Sequence, residues 1–488
     1  VSLVDRTRAT LRQAVEVYRG SPHEARLVAT AARLDAPLRV AVAGRVKSGK
    51  STLLNALVGE RLAPTDAGEC TRIVTWYSDG HTYRVVLHPR EGEPRQVRFH
   101  RDDGAIDVDL DGLRPEEVDQ LDVTWPSQAL RSVTLIDTPG IGSLTEAVSR
   151  RAWEVLAAEE DETPADAVLY LMRHLHSGDV EFLRAFQDTE VSRPNPVNAI
   201  GVLSRADEIG VGRPDSMASA RRIAGRLSAD PVVRRVVQTV VPMAGLLAET
   251  AVTLTEAEVA HLRRIAGRPA RTVEDLLLST DRFLEQMPEL GLTSMERQNL
   301  LDRFGVFGIR LASTVLRRGD LTATDLAREL AARSGLDELQ GVLASLFYQR
   351  RDVLKSRSAL LALDRLVHEH PRPGSVLLSA EIEEITASAH PFNELRVLSA
   401  LRAGWVSGKP DVLTDLEHLI GGTGTAVHER LRLEPEAGVP ERTAAASQAL
   451  VRWQRRAENP MTPHELVVAS RVAIRSCEGL LAELAGAR

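Results

Sequence analysis

Cysteine, lysine and aromatic residues are all scarce in this 488-residue chain, and each scarcity removes a class of protein. The two cysteines, Cys70 and Cys477, stand far apart, which excludes a disulfide framework and a CxxC metal pair. A reduced, cytosolic compartment is expected. With 8 Phe, 5 Trp and 5 Tyr, neither aromatic-paired strands throughout nor base-stacking platforms are available. No run of about 18 apolar residues occurs without a charge, and VSLVDRTRAT holds no apolar signal-peptide stretch, so a membrane is expected to be touched and not spanned. Lys+Arg of 61 against Asp+Glu of 68 gives a net charge of −7, so no chain-wide cationic field draws the molecule to RNA or DNA, and no nucleic-acid partner is expected.

What is present is a hydrophobic content of 43%, which excludes disorder, over a length that suits two or three domains. Two helical patterns open the chain, with Leu11, Ala14, Val15 and Tyr18 on one face, then Leu27, Val28, Ala31 and Leu34. From Pro37 to about residue 245 the β-rich runs LRVAVA, YRVVL, SVTLID, DAVLYLM, NAIGVL and TVVPM alternate with helical segments, the mark of a mostly parallel, doubly wound α/β sheet. Beyond it the pattern is all helical, with a capping box at Thr255 to Glu258. The stretch Leu336 to Val367 carries no internal proline and predicts one helix of roughly 45–50 Å.

Two of only four lysines fall in Gly44-Arg45-Val46-Lys47-Ser48-Gly49-Lys50-Ser51, which fits GxxxxGK[ST] between a strand pattern and the helical TLLNALVG. Backbone N–H groups of such a loop and the positive end of the next helix cradle phosphates. Gly44 to Thr52 are therefore assigned to nucleotide, with Lys50 on the β- and γ-phosphates and Ser51 on magnesium. SVTLID runs into Asp137-Thr138-Pro139-Gly140, placing Asp137 at a strand end where it can hold magnesium through water, and Gly140 where its N–H can meet the γ-phosphate. NAIGVL ends in Ser204-Arg205-Ala206-Asp207. A carboxylate at Asp207 pairs with the N1–H and N2–H₂ of guanine, which adenine cannot match, and Arg205 can lie over the base. Ala244, at the end of the TVVPM run, completes the nucleotide set. Between the first two motifs, Thr65, Thr71 and Thr75 are candidates for a threonine that closes over magnesium, and Thr71, twenty residues after Ser51, is favoured.

A P-loop, such a threonine, a DTPG and a degenerate [NT]KxD, followed by a long helical half, resemble the dynamin superfamily of GTPases. AGRVKSGKSTLLNALVGERLAPTDAGECTRIVTW, GVLSRADEIG and RFGVFGIRLASTVL look most like the mycobacterial isoniazid-inducible dynamin-like proteins. That resemblance implies GTP/GDP and Mg²⁺ as ligands, residues 1–36 as neck helices, residues 37–330 as a GTPase head, and residues 331–488 as helical neck and trunk. It also implies self-association through the head, a dynamin-like paralogue as partner, and peripheral, weak contact with lipids on the inner face of the cell membrane.

Two positions depart from the family. The place of a P-loop glutamine holds Val46, and Ile141 after DTPG cannot orient water, which implies slow or partner-dependent hydrolysis. Lys47 stands where related proteins carry a charge-neutralising arginine, so the catalytic set reads Lys47, Lys50, Thr71 and Gly140. The rival expectation is a switch-type GTPase acting on protein or ribosomal RNA, but the charge supplies no basic appendage for it. The turn HPRPGSVLLS is expected to reach lipid with Val376, Leu377, Leu378 and Arg372, with the loop around Trp405 and Lys409 as second candidate. The HxH pairs His174/His176 and His368/His370 lack third and fourth ligands and are read as structural.

Overall fold

The computed structural model describes residues 2–64, 73–102, 104–140, 165–173, 198–209, 212–285, 290–319, 321–402 and 404–486. Its strands are β1 Leu38–Gly44, β2 Val74–Asp79, β3 Arg84–Pro89, β4 Arg95–Val97, β5 Phe99–Asp102, β6 Ala105–Val108, β7 Val118–Trp125, β8 Val133–Asp137, β9 Ala167–Met172, β10 Ala199–Ser204 and β11 Val240–Met243. Nine of them form one sheet in the order β11-β10-β9-β1-β8-β2-β7-β3-β4, while β5 and β6 pair separately. The half from β11 to β8 is parallel, and β2, β3 and β4 bring in antiparallel pairings. This is the expected α/β domain followed by an all-helical region, with the sheet mixed at one side.

Burial explains which strands were visible. β9 and β10 are buried at every position, as a parallel strand covered on both faces must be, and so read as unbroken apolar runs. In β7 the buried Val118, Leu121, Val123 and Trp125 are separated by half-exposed polar residues. Such a one-face strand gives no apolar run, and it was not expected.

The helices Leu3–Val17 and Glu24–Arg33 pack on the helix Arg351–Glu369. Leu11, Ala14 and Tyr18 share an apolar cluster with Leu360, Leu363 and Leu366. The Thr255–Glu258 capping box is formed, Glu258 N–H donating to Thr255 Oγ1 at 3.3 Å. A separate apolar cluster around Leu398, Leu416, Trp453 and Ala473 organises the last helices.

The stretch from Leu336 is not one helix. It divides into Leu336–Leu343, a π-helical turn Ala344–Tyr348 and Arg351–Glu369, with Arg350 at φ −101°, ψ 10° between them. The reason is tertiary: the buried Arg350 guanidinium donates to the Gly421 carbonyl, and Thr425 Oγ1 donates to Gln349. A buried guanidinium without acceptors costs more than a broken helical turn. The 19-residue helix that remains is about 28 Å long.

Its distal turn also departs from expectation. Val376 and Leu377 are 82% and 76% exposed, but Leu378 is buried, filling the cluster against the first helix. Tyr18 Oη donates to the His370 carbonyl at 2.8 Å, and the Arg372 guanidinium lies over the Tyr18 ring. Among the described residues no helix is long and apolar enough to cross a membrane.

Candidate functional site

The loop after β1 is shaped by backbone that only particular residues accept. Gly44 has φ +148°, and a Cβ there would sit 2.5 Å from the Leu171 carbonyl oxygen of neighbouring β9. Gly49, at φ +93°, turns the chain into the helix Lys50–Val58. The free N–H groups of that first turn and the aligned peptide dipoles make an anion site. Arg45, Val46 and Lys47 are exposed along the loop, whereas Ser48 is buried and its Oγ has no partner among the described residues. Lys50 folds back over the loop, its Nζ donating to the carbonyls of Gly44 at 3.4 Å and Arg45 at 3.3 Å. Burial holds the Lys50 ammonium below its ordinary pKa, and the Asp137 carboxylate opposes that shift.

β8 lies beside β1 with Asp137 in register with Val42, so its last side chain reaches the loop. Ser51 Oγ donates to Asp137 Oδ2 at 2.9 Å, while Asp137 Oδ1 is buried without a partner among the described residues. Burial pushes the Asp137 carboxyl above the usual carboxylate range, against the Lys50 charge and the Ser51 hydrogen bond. Thr138 donates its N–H and its hydroxyl to the Val42 carbonyl, at 3.3 and 3.0 Å, which pins this strand end. Gly140 follows directly over the loop, where a Cβ would lie 2.7 Å from Val46 Cγ2 and 2.8 Å from Val46 Cα. A hydroxyl, an under-coordinated carboxylate oxygen and an ammonium thus converge on one loop. That donor set fits a hydrated divalent cation and a polyphosphate.

The third motif follows β10. Asp207 is half-buried in the turn Ala206–Glu208, and burial pushes its carboxyl up. Arg205, at φ +54°, donates to the Lys47 carbonyl at 3.1 Å and to Glu208. Its guanidinium therefore lies along the phosphate loop, and Arg173 reaches the same carbonyl at 3.2 Å. The Lys47 side chain itself is exposed. Ala244 is fully buried, its N–H donating to the Ser334 carbonyl at 2.8 Å, and it offers a ligand no surface. Thr52 lies in the first helical turn, against Gly245.

Thr71, Thr65, Ile141, His174 and His176 lie outside the described residues. Thr75 is buried in β2, its hydroxyl donating to the Ile73 carbonyl. His370 stacks on His23 at 4.2 Å, and His368 lies beside the Asp364 carboxylate. No group of three or more metal-ligating side chains is found among the described residues.

One constellation went unforeseen. Asn55, wholly buried on the phosphate-loop helix, accepts from the N–H groups of Leu62 and Ala63 and donates to the Ala63 carbonyl and Glu249. Arg61 closes the network on Glu249 at 3.1 Å. These bonds hold the chain as it enters the stretch containing Thr65 and Thr71. The one available signal was an asparagine inside the apolar TLLNALVG.

Residues 40–206, from β1 to just beyond β10, match the dynamin family. Isoniazid-induced protein IniC of Mycobacterium tuberculosis is 41% identical over 495 aligned positions that span the whole of both chains. This chain belongs to the bacterial dynamin family. A bacterial dynamin-like protein of Nostoc punctiforme is 33% identical over 22% of this chain and 17% of its own. A solved structure, from an oligomerised bacterial dynamin pair described as a mechanism for long-range sensing and tethering of membranes, aligns over 99% of this chain and 74% of that one. Its identity is 12% and its TM-score 0.32. In this dynamin-family chain the matched stretch contains the phosphate loop, Asp137 and Arg205, and stops one residue before Asp207.

Proposed function

We propose that this dynamin-family chain binds GTP with Mg²⁺ at the loop 44–52, hydrolyses it slowly, and uses the cycle to tether or remodel a membrane that it touches from the cytoplasmic side. The observation that carries the nucleotide reading is the 2.9 Å hydrogen bond from Ser51 to Asp137 beside a second, unpartnered carboxylate oxygen. A bound Mg²⁺ would supply charge neutralisation between the β- and γ-phosphates. Ser51 would ligate it, Asp137 would hold it through water, and Lys50 would exchange two loop carbonyls for phosphate oxygens.

Loop N–H groups and the helix N-terminus take the remaining phosphate charge. Asp207 selects guanine, and Gly140, already pressed on Val46, moves with the γ-phosphate. Thr71 would add a hydroxyl ligand to the metal. With Val46 in the glutamine's place, Lys47, exposed on the phosphate loop, is the candidate for transition-state charge.

The membrane reading rests on family membership and on Val376 and Leu377, exposed at the end of the helix Arg351–Glu369 away from Asp35 and Ala36, which Arg351 binds at its other end. Two aliphatic side chains give weak binding, so self-association through the head, alone or with a paralogue, multiplies it. Lys50→Ala should abolish binding of a fluorescent GTP analogue with the circular dichroism spectrum preserved. Unaltered binding would refute the nucleotide site. Co-sedimentation with anionic liposomes should rise with GTP over GDP, and equal pelleting would leave a nucleotide switch without a membrane role.

A further inference from the structure

Away from the phosphate loop, the helices Ser216–Ala229, Ser294–Leu316 and Ala323–Ser334 enclose a cavity of about 350 Å³. Its floor is apolar, made by the buried Met217 and Phe307 with Leu311. Its walls carry four arginines, Arg221, Arg310, Arg318 and Arg333, and no carboxylate is among the described residues that line it. In a chain of net charge −7 this is a local reversal of sign.

The four guanidiniums are not used up by their neighbours. Arg221 spends Nε on Glu338 at 3.2 Å, and Arg333 spends one terminal nitrogen on Glu329, both carboxylates lying outside the lining. Arg310 is fixed by the carbonyls of Gly212 and Leu277. Arg318 has no side-chain partner among the described residues and is exposed. Four positive charges against two carboxylates leave the walls about two charges in excess, over a floor that prefers hydrocarbon.

We infer that this cavity is a binding site for a phosphate monoester with a flat or branched apolar body. The forked, planar donors of Arg221 and Arg318 suit a phosphate dianion, and Met217, Phe307 and Leu311 suit the body. A volume of about 350 Å³ lies at the small end of ordinary ligand sites, so one ring system with its phosphate fills it. The site stands apart from the nucleotide reading and does not depend on it. It is nevertheless joined to the base-recognition loop, because Arg310 holds the carbonyl of Gly212, five residues after Asp207.

The test uses the full chain and 1-naphthyl phosphate, titrated calorimetrically with GDP and Mg²⁺ in excess. Saturable one-site binding is expected, at least tenfold tighter than that of neutral 1-naphthol. Arg221→Ala with Arg318→Ala should weaken it at least tenfold, and both positions are exposed enough for the fold to survive. Absence of saturable heat, an affinity within twofold in the double variant, or equal binding of naphthol would overturn the proposal. So would loss of the signal in Lys50→Ala with retention in the arginine variant, since the probe would then be reading the phosphate loop. Where the site holds, phosphatidic-acid vesicles that displace the probe identify a lipid headgroup as its phosphate, and vesicles that leave it in place identify a soluble ester.

Discussion

Asn55→Ala removes a side chain that is fully buried and makes four hydrogen bonds. Its Oδ1 accepts from Leu62 N–H at 3.0 Å and Ala63 N–H at 2.8 Å, and both residues are themselves wholly buried. The variant removes the partner of two amides and a carbonyl. An unsatisfied buried group costs about 1–3 kcal/mol, so the turn 59–64 should lose about 3–5 kcal/mol once water entering the vacated space offsets part of it. Each amide, weakened by about 1–3 kcal/mol, should exchange roughly 5- to 150-fold faster.

Hydrogen exchange read by mass spectrometry on peptides covering residues 59–64 measures this, with β9 and β10 peptides as internal controls. Because the turn feeds the stretch holding Thr71, the affinity for a GTP analogue should fall more than that for GDP. Unchanged protection at Leu62 and Ala63 would refute the account of the network. Equal losses for both nucleotides would limit it to packing.

Asp207→Asn should weaken GTP and improve xanthosine triphosphate, read by competition against a fluorescent analogue, and equal wild-type affinity for ATP and GTP would count against base selection. Lys47→Ala should lower single-turnover kcat by at least about tenfold, or about 1.4 kcal/mol, with little change in binding. Val376→Asp with Leu377→Asp should abolish liposome pelleting and keep GTP binding, while Leu378→Asp should instead lower the thermal midpoint, because Leu378 is core. Lys355 is buried against the carbonyls of Arg33 and Ala36, and burial pulls its pKa down to about 8 from 10.5. A base depressed on folding binds fewer protons folded than unfolded between those values, so stability should rise as pH increases from about 8 to 10. That slope should vanish in Lys355→Met, as followed by thermal melts across the range.

The motif-bearing loops were legible in the sequence because each rests on local physics. Gly44 and Gly49 take backbone that other residues resist, Lys50 and Ser51 open the next helix, and Asp137 ends and Asp207 follows an apolar run that marks a strand. The order of elements, the change to helices after β11 and the Thr255 cap were readable for the same reason. Tertiary structure decided what depends on a partner distant in sequence. The 336–369 segment breaks because Arg350 needs the Gly421 carbonyl, 71 residues on. Leu378 is core while Leu377 is surface because the first helix covers one side of that turn and not the other. Asn55 needs Glu249, 194 residues away, and the four cavity arginines come from three helices and the turn after the second of them, which no local period relates. A local pattern can state which groups want burial or a hydrogen bond, but only the packed chain supplies the partner.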